Sequence, residues 1–183
     1  MDQLRLITNR LALVAATVEL AQAERSDLSA LAKLLSVPKP QSWPPPLNDE
    51  HSQQAFLASL QKAAPHDAGW NLWFCILRDP CVLVGNAGFK GMPRNGLVEI
   101  GYSMLEAQQR NGYCTEAVGA LLRWAFQHPA VHTVVAHTLP GLTPSIRVLE
   151  KSGFSFVGDG PIEDDMRTIR YELRREGWAP AAS

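Results

Sequence analysis

The sequence predicts an α+β domain built on a mixed, mostly antiparallel central sheet flanked by about four helices. Three observations lead there. A chain of 183 residues, 46% hydrophobic and 19% charged, suits one globular core, hence a single domain over residues 1–183. The hydrophobic period is helical up to about Ala64, strand-like from Trp70 to Leu105, and helical again from Gly112. Finally, Asp79-Pro80 and the cluster Pro93, Asn95, Gly96 divide three consecutive apolar runs, which is how an antiparallel meander is punctuated.

Taken in chain order, Arg10 to Ala15 reads as a strand. Thr17, with Glu19 and Leu20 behind it, opens an amphipathic helix to about Ser36. Pro38, Pro40, Pro44, Pro45 and Pro46 then exclude helix and central strand. Asp49 caps a second helix through about Ala64. Trp70 to Leu77, Val82 to Phe89 and Leu97 to Leu105 are the three meander strands, rich in aromatic and branched residues. From Gly112, the residues Cys114, Ala117, Val118, Leu121 and Ala125 share one helical face until Pro129 ends the helix. Val131 to Leu139 is a strand. Thr143 as N-cap, Pro144 in the first turn and Gly153 past the end bracket a short helix. Phe154 to Val157 and Thr168 to Leu173 supply two last strands.

Composition narrows the function. A net charge of −1 offers no global cationic field, so neither a nucleic-acid nor a membrane partner is expected, and any phosphate must be held locally. The apolar run Leu11 to Ala16 falls far short of the roughly eighteen residues a membrane span needs, and a soluble, cytoplasmic protein is expected. Cys75, Cys81 and Cys114 form neither a disulfide framework nor a C-x-x-C pair. His128 and His132 have i, i+4 spacing, but Pro129 interrupts it. They read, with His137, as surface or strand-edge residues, and no metal is expected. Gly101-Tyr102-Ser103 lacks the second glycine of a nucleophile elbow, and Gly85 to Gly88 sits inside a strand rather than at a strand-to-helix turn.

The informative segment runs from Glu99 through Met104, Leu105 and a polar loop into the helix at Gly112. A helix N-terminus presents unpaired N–H groups and partial positive charge, so this loop can hold a pyrophosphate without a basic surface. Gly112 admits close approach to the backbone, and Gln109, Arg110 and Thr115 add side-chain donors. On the residues alone, an ordinary loop and helix cap remains the other reading.

Residues 99–118 and 143–157 closely resemble the GNAT superfamily of N-acetyltransferases, particularly the branch resembling ribosomal-protein N-terminal acetyltransferases. The family's coenzyme A loop runs Gln or Arg, two residues, Gly, one residue, Gly or Ala; here it is Gln109, Arg110, Asn111, Gly112, Tyr113, Cys114. Thr115-Glu116-Ala117-Val118 and Ser145 to Phe154 are similar to the same branch. The resemblance implies acetyl-CoA as cosubstrate, a splayed strand pair at the coenzyme site, and contacts from Met104, Leu105, Gln109, Arg110, Asn111, Gly112, Tyr113, Cys114, Thr115 and Ser145. It also implies direct transfer to an amine, which requires a base, an oxyanion site and an acid for the departing thiolate. Glu99 is the candidate base, its other reading being a strand carboxylate paired with a lysine. Ser145 is the candidate donor to the thiolate, its other reading being a first-turn cap.

This chain departs from the family pattern in three places. Cys114 stands where Gly or Ala is usual, Leu142 replaces an asparagine that helps hold the pantetheine arm or acceptor, and Leu149 replaces a tyrosine acid. Those leucines keep open an alternative, a catalytically weak or inactive acyl-CoA-binding or interaction domain. The acceptor, a small-molecule amine or a protein N-terminus, is expected between Val37 to Asn48 and Gly158 to Arg167. In the second segment, Glu163, Asp164 and Asp165 either attract a cationic amine or form a solvated turn. Trp43 reads as a pocket wall or as stiff loop packing, and the assembly as monomer or homodimer.

Overall fold

The computed structural model describes residues 3–163 and 165–178. Eight strands form one sheet in the order β1-β2-β3-β4-β5-β6-β8-β7: β1 Arg5–Ile7, β2 Leu11–Ala15, β3 Leu72–Leu77, β4 Val82–Phe89, β5 Leu97–Met104, β6 Thr133–Thr138, β7 Ser155–Glu163 and β8 Met166–Arg174. Only β5 and β6 run parallel. Five α-helices accompany them among the described residues: α1 Val18–Ser26, α2 Leu28–Leu35, α3 Glu50–Lys62, α4 Tyr113–Phe126 and α5 Thr143–Lys151. None of the described helices is long and apolar enough to cross a membrane.

The expected α+β architecture is present, with local differences. The first helix is two helices, because Asp27 leaves helical geometry (φ −154°). Its N–H closes α1 on Ala23 O while its carboxylate accepts from Ser29 N at 2.8 Å to open α2. A short acid that bonds its own backbone competes with helix propagation, while the apolar period on either side continues undisturbed. That raises the helix count from four to five. Strand β1 was not expected; three residues of alternating exposure give no periodic signal. At α5, Leu142 occupies the N-cap position without a side-chain bond, and Thr143 is already helical, its hydroxyl donating to Gly141 O at 3.3 Å. The last two strands are longer than expected. Thr17 and Asp49 cap as anticipated, accepting from Leu20 N at 3.2 Å and Ser52 N at 2.9 Å.

The sheet separates two apolar layers. Helices α4 and α5 cover one face around a tryptophan cluster, with Trp124 centred 4.5 Å from Trp70 and 5.6 Å from Trp73. Helices α1 and α2 cover the other face over β2, β3 and β4, with Val14, Leu31, Phe74 and Leu83 at their interface.

The proline-rich loop is tied to this second layer by one acid. Glu24, 5% exposed, accepts from Trp43 Nε1 at 3.1 Å and Asn48 Nδ2 at 2.9 Å. Trp43 also packs its ring 6.2 Å from Phe74, so it is loop packing rather than a free pocket wall. Burial pushes Glu24 up to about 7, and the hydrogen bonds from Asn48 and Trp43 offset this only partly. The native state therefore keeps a proton that the unfolded chain releases near 4.5, and stability falls as pH rises between those values. Glu24→Gln keeps an acceptor for both donors without the buried charge. The variant is expected to melt higher than the parent at pH 8, by on the order of 2 kcal/mol or roughly 4–8 °C. The difference closes toward pH 5, and calorimetry across that range measures it.

Candidate active site

The site begins where two strands part. Strands β5 and β6 pair only from Leu97↔Thr133 to Glu99↔Val135, although β5 continues to Met104 and β6 to Thr138. Beyond Glu99, β5 stays with β4 as far as Gly85↔Met104, and β6 stays with β8 along its length. A wedge opens between them, as the splayed-pair expectation required. In the antiparallel ladder, residues whose polar groups face the partner alternate with residues whose groups face away. Because Leu105 N donates to Val84 O and Lys90 N to Glu99 O, the odd residues of β5 face β4. The backbone groups of Ile100, Tyr102 and Met104 consequently face the wedge, whereas the N–H of Leu105, expected there, is engaged with Val84.

The loop from β5 to α4 closes one end. Gly112 has φ +79° and Arg110 φ +64°, so the chain turns sharply before the helix. The first intrahelical bond of α4 is Glu116 N to Gly112 O, leaving the earlier N–H groups directed out of the helix end. Gln109 and Asn111 are placed differently from expectation. Gln109 Nε2 donates to Met104 O at 3.1 Å, and Asn111 Nδ2 donates to the carbonyls of Gln108 and Gln109. Both amides shape the loop. Arg110 lies exposed on it.

A residue that sequence reasoning missed holds this loop from a distance. Arg10 donates to Asn111 O at 2.9 Å and to Glu116 Oε2 at 2.7 Å, and its guanidinium lies 4.7 Å from the Tyr113 ring centre. Glu116 also accepts from Arg10 N and Thr8 Oγ1. Burial raises the Glu116 carboxyl, but those donors outweigh it and hold it below its usual range. Arg10 and Glu116 stand 106 residues apart, so no local pattern announces the clip. A cleft of about 420 Å³, lined by Asn9, Arg10, Arg78, Asp79 and Tyr113 among others, lies beside it.

Tyr102 and Ser145 meet on the face covered by α4 and α5. The Tyr102 hydroxyl donates to Ser145 O at 3.1 Å and lies 3.2 Å from Ser145 Oγ. Burial raises Tyr102 far above its ordinary range, so the phenol is a neutral donor. Tyr102 was not singled out from sequence; its signal is an odd separation from Glu99, which puts the two on opposite faces of β5. Leu149, where the family tyrosine would stand, is fully buried in the core. Burial also pushes the Cys114 thiol up to about 12, despite the helix end. Thr115 lines a groove of about 300 Å³ between α4 and α5, with Arg123 and Lys151.

Glu99 faces the opposite side. Its carboxylate is 2.5 Å from Lys90 Nζ and 3.1 Å from His137 Nδ1, and Glu163 approaches Lys90 to 3.3 Å. The lysine pairing that was one reading of Glu99 is therefore present. His137, expected at the surface, has a side chain only 8% exposed. Ligand atoms of Glu99, His137 and Glu163 lie within 4.8 Å of one another, with the Lys90 ammonium supplying positive charge between the two acids. His128 is tied elsewhere, its Nδ1 2.9 Å from Trp124 O, and His132 is exposed ahead of β6. Both segments between which the acceptor is expected reach this face: Ser103 Oγ donates to Pro46 O, and Glu163 and Glu99 both approach His137 Nδ1 and Lys90. Asp164 lies outside the described residues.

Residues 17–155 match the model of the acetyltransferase (GNAT) domain. The chain belongs to the GNAT family. Among curated proteins, uncharacterized N-acetyltransferase YjdG of Bacillus subtilis (strain 168) is 36% identical over 87 residues, which are 47% of this chain and 52% of that one. The chain thus spans about half the length of the curated relatives it matches. Among solved structures, a ribosomal-protein-S5-alanine acetyltransferase from Vibrio fischeri superposes with a TM-score of 0.67 at 17% identity, covering 97% of this chain and 100% of the other. A ribosomal L7/L12 alpha-N-protein acetyltransferase in complex with coenzyme A gives 0.66 at 17% identity, covering 92% and 96%. These similarities establish a shared GNAT fold.

Proposed function

We propose that this GNAT protein is an acetyl-CoA-dependent N-acetyltransferase that moves the acetyl group directly onto an amine of a small molecule or protein N-terminus. The observation that supports it is the parting of β5 and β6 beyond Glu99, with a carboxylate on one face of β5 and paired hydroxyls on the other. The residues present fit the coenzyme. The N–H groups at the start of α4, with Gly112, Tyr113, Cys114 and Thr115, would take the pyrophosphate, aided by Arg110. The wedge-facing backbone of β5, up to Met104, would take the pantetheine arm by strand-like pairing. Acetyl-CoA supplies the activated thioester.

Glu99, acting through water, removes the proton from the acceptor ammonium, and the freed amine attacks the thioester carbonyl. Wedge-facing N–H groups of β5 stabilise the oxyanion. The Tyr102 hydroxyl, with Ser145 beside it, would hydrogen-bond the departing thiolate on that face and pass it a proton that solvent replaces through the pair. Proton removal and proton return thus occur on opposite faces of the sheet, which keeps base and acid from neutralising each other. Tyr102 supplies the hydroxyl that Leu149 does not, and this favours turnover over a binding-only domain.

The test is an acceptor panel of peptides with free N-termini, spermidine and an amino sugar, scored by release of free thiol from acetyl-CoA. Acetylated product with at least one amine is expected. Coenzyme binding without product from any would support the binding domain.

Cys114→Ala separates direct transfer from a covalent intermediate. A thiol protonated up to about pH 12 is a small hydrophobe, so the variant is expected to keep kcat within about twofold. Lost turnover, with an acetylated enzyme trapped in the parent, would contradict direct transfer.

A further inference from the structure

His137 has no role in the chemistry above, and its surroundings are unusual for a structural histidine. It stands on β6 two residues beyond the last pair with β5, so its ring enters the wedge on the Glu99 face. The ring is nine-tenths buried, and neither Nδ1 nor Nε2 makes a hydrogen bond within the described residues. Gly160 on β7 leaves room for it: a Cβ there would lie 2.9 Å from His137 Cδ2. A buried imidazole with no aligned hydrogen bond costs free energy that packing alone does not require.

The charged groups around the ring give it a use. Glu99 from β5 lies 3.1 Å from Nδ1 and Glu163 from β7 lies 3.7 Å from it. Lys90, after β4, neutralises both acids from the solvent side. Arg170, opposite His137 on β8, is held by Glu172 at 2.9 Å. An imidazolium at this position would lie between two carboxylates, with Glu99 the nearer of the two to Nδ1.

We propose that His137 is a positioning residue that acts through Glu99, holding the proton taken from the acceptor amine while the acetyl group transfers. The inference rests on Glu99 being the base. The acceptor R–NH3+ gives one proton to the Glu99 carboxylate, and the nitrogen lone pair forms the new C–N bond. Glu99 passes that proton to His137 Nδ1, which restores the carboxylate and creates an imidazolium. After the C–S bond breaks and the thiolate is protonated from the other face, His137 returns its proton to solvent. A weak carboxylate base thereby works near neutral pH, because the proton does not remain on it.

Two measurements test this. Long-range 1H–15N spectra of the parent and of Glu99→Gln, titrated from pH 5 to 9, follow the His137 ring without any acceptor. Removal of the facing anion is expected to lower its midpoint. An unmoved midpoint would overturn the coupling. With an acceptor from the panel, His137→Gln is expected to lower kcat/KM at pH 7 about tenfold and to move the acid limb of the pH profile down by one unit or more. A loss of rate with the acid limb unmoved would make His137 merely structural. If Glu99→Gln turns over normally, the reading of the base fails; if it is impaired while His137→Gln keeps the parent profile, this inference alone fails. Should His137→Gln not fold, the spectra still decide.

Discussion

Glu99→Gln is expected to lower kcat by on the order of a hundredfold or more while coenzyme affinity changes little. The substitution preserves size and hydrogen bonding, and Lys90, released from Glu99, retains Glu163 at 3.3 Å. The fold is therefore expected to persist, with a melting temperature near that of the parent. What is removed is the negative charge and, with it, the capacity to accept a proton. At neutral pH an aliphatic amine acceptor is mostly protonated, so transfer needs that capacity. At high pH the acceptor deprotonates in solution, and the deficit should shrink there. Rates measured from pH 6 to 10 check both statements. Normal turnover by the variant would direct the search for the base to Glu163. A defect confined to coenzyme affinity would make Glu99 a structural residue of the wedge and favour a binding domain.

What was legible in the sequence, and what was not, divides by the range of the interactions involved. Thr17, Asp49 and Gly112 mark helix starts through contacts within three or four residues, and each lies where its local chemistry predicts. The strand meander was readable because one period and two turn clusters carry it. Asp27 shows the limit even of local reading. The apolar pattern of α1 and α2 continues across it, and only the aspartate's bond to Ser29 N divides them. The rest depends on residues distant in sequence. Gln109 and Asn111 look like ligand donors until the returning backbone gives their amides other acceptors. Arg10 shows no function until β2 brings it against α4. His137 reads as a strand-edge residue because its burial is created by β7 and β8, which follow it in the chain. Tyr102 was visible as a residue, but its hydroxyl pair forms only because α5 delivers Ser145 beside it.

Gly112→Val is expected to abolish most of the thermal stabilisation that acetyl-CoA confers, leaving the ligand-free fold in place. A ligand bound only by the native state at a hundredfold its Kd adds about 2.7 kcal/mol, and for a chain of this length that corresponds to a rise in Tm of roughly 5–10 °C. The cause of the loss is conformational. At φ +79° a side chain is strained whatever space surrounds it, and a β-branched one most of all. Space is not the obstacle, since a Cβ at this position meets only Arg10 Nη2, at an ordinary contact distance of 3.4 Å. Relief of the strain would rotate the Gly112 peptide and redirect the N–H groups at the start of α4, while the apolar face of the helix, Ala117, Val118 and Leu121, stays fixed in the core. The damage is thus confined to the loop end of α4. Gly112→Ala, without β-branching, should lose less of the shift than valine does, and that ranking ties the effect to backbone geometry. An undiminished shift in Gly112→Val would place the coenzyme elsewhere, the Arg10 and Arg78 cleft being the next position to examine.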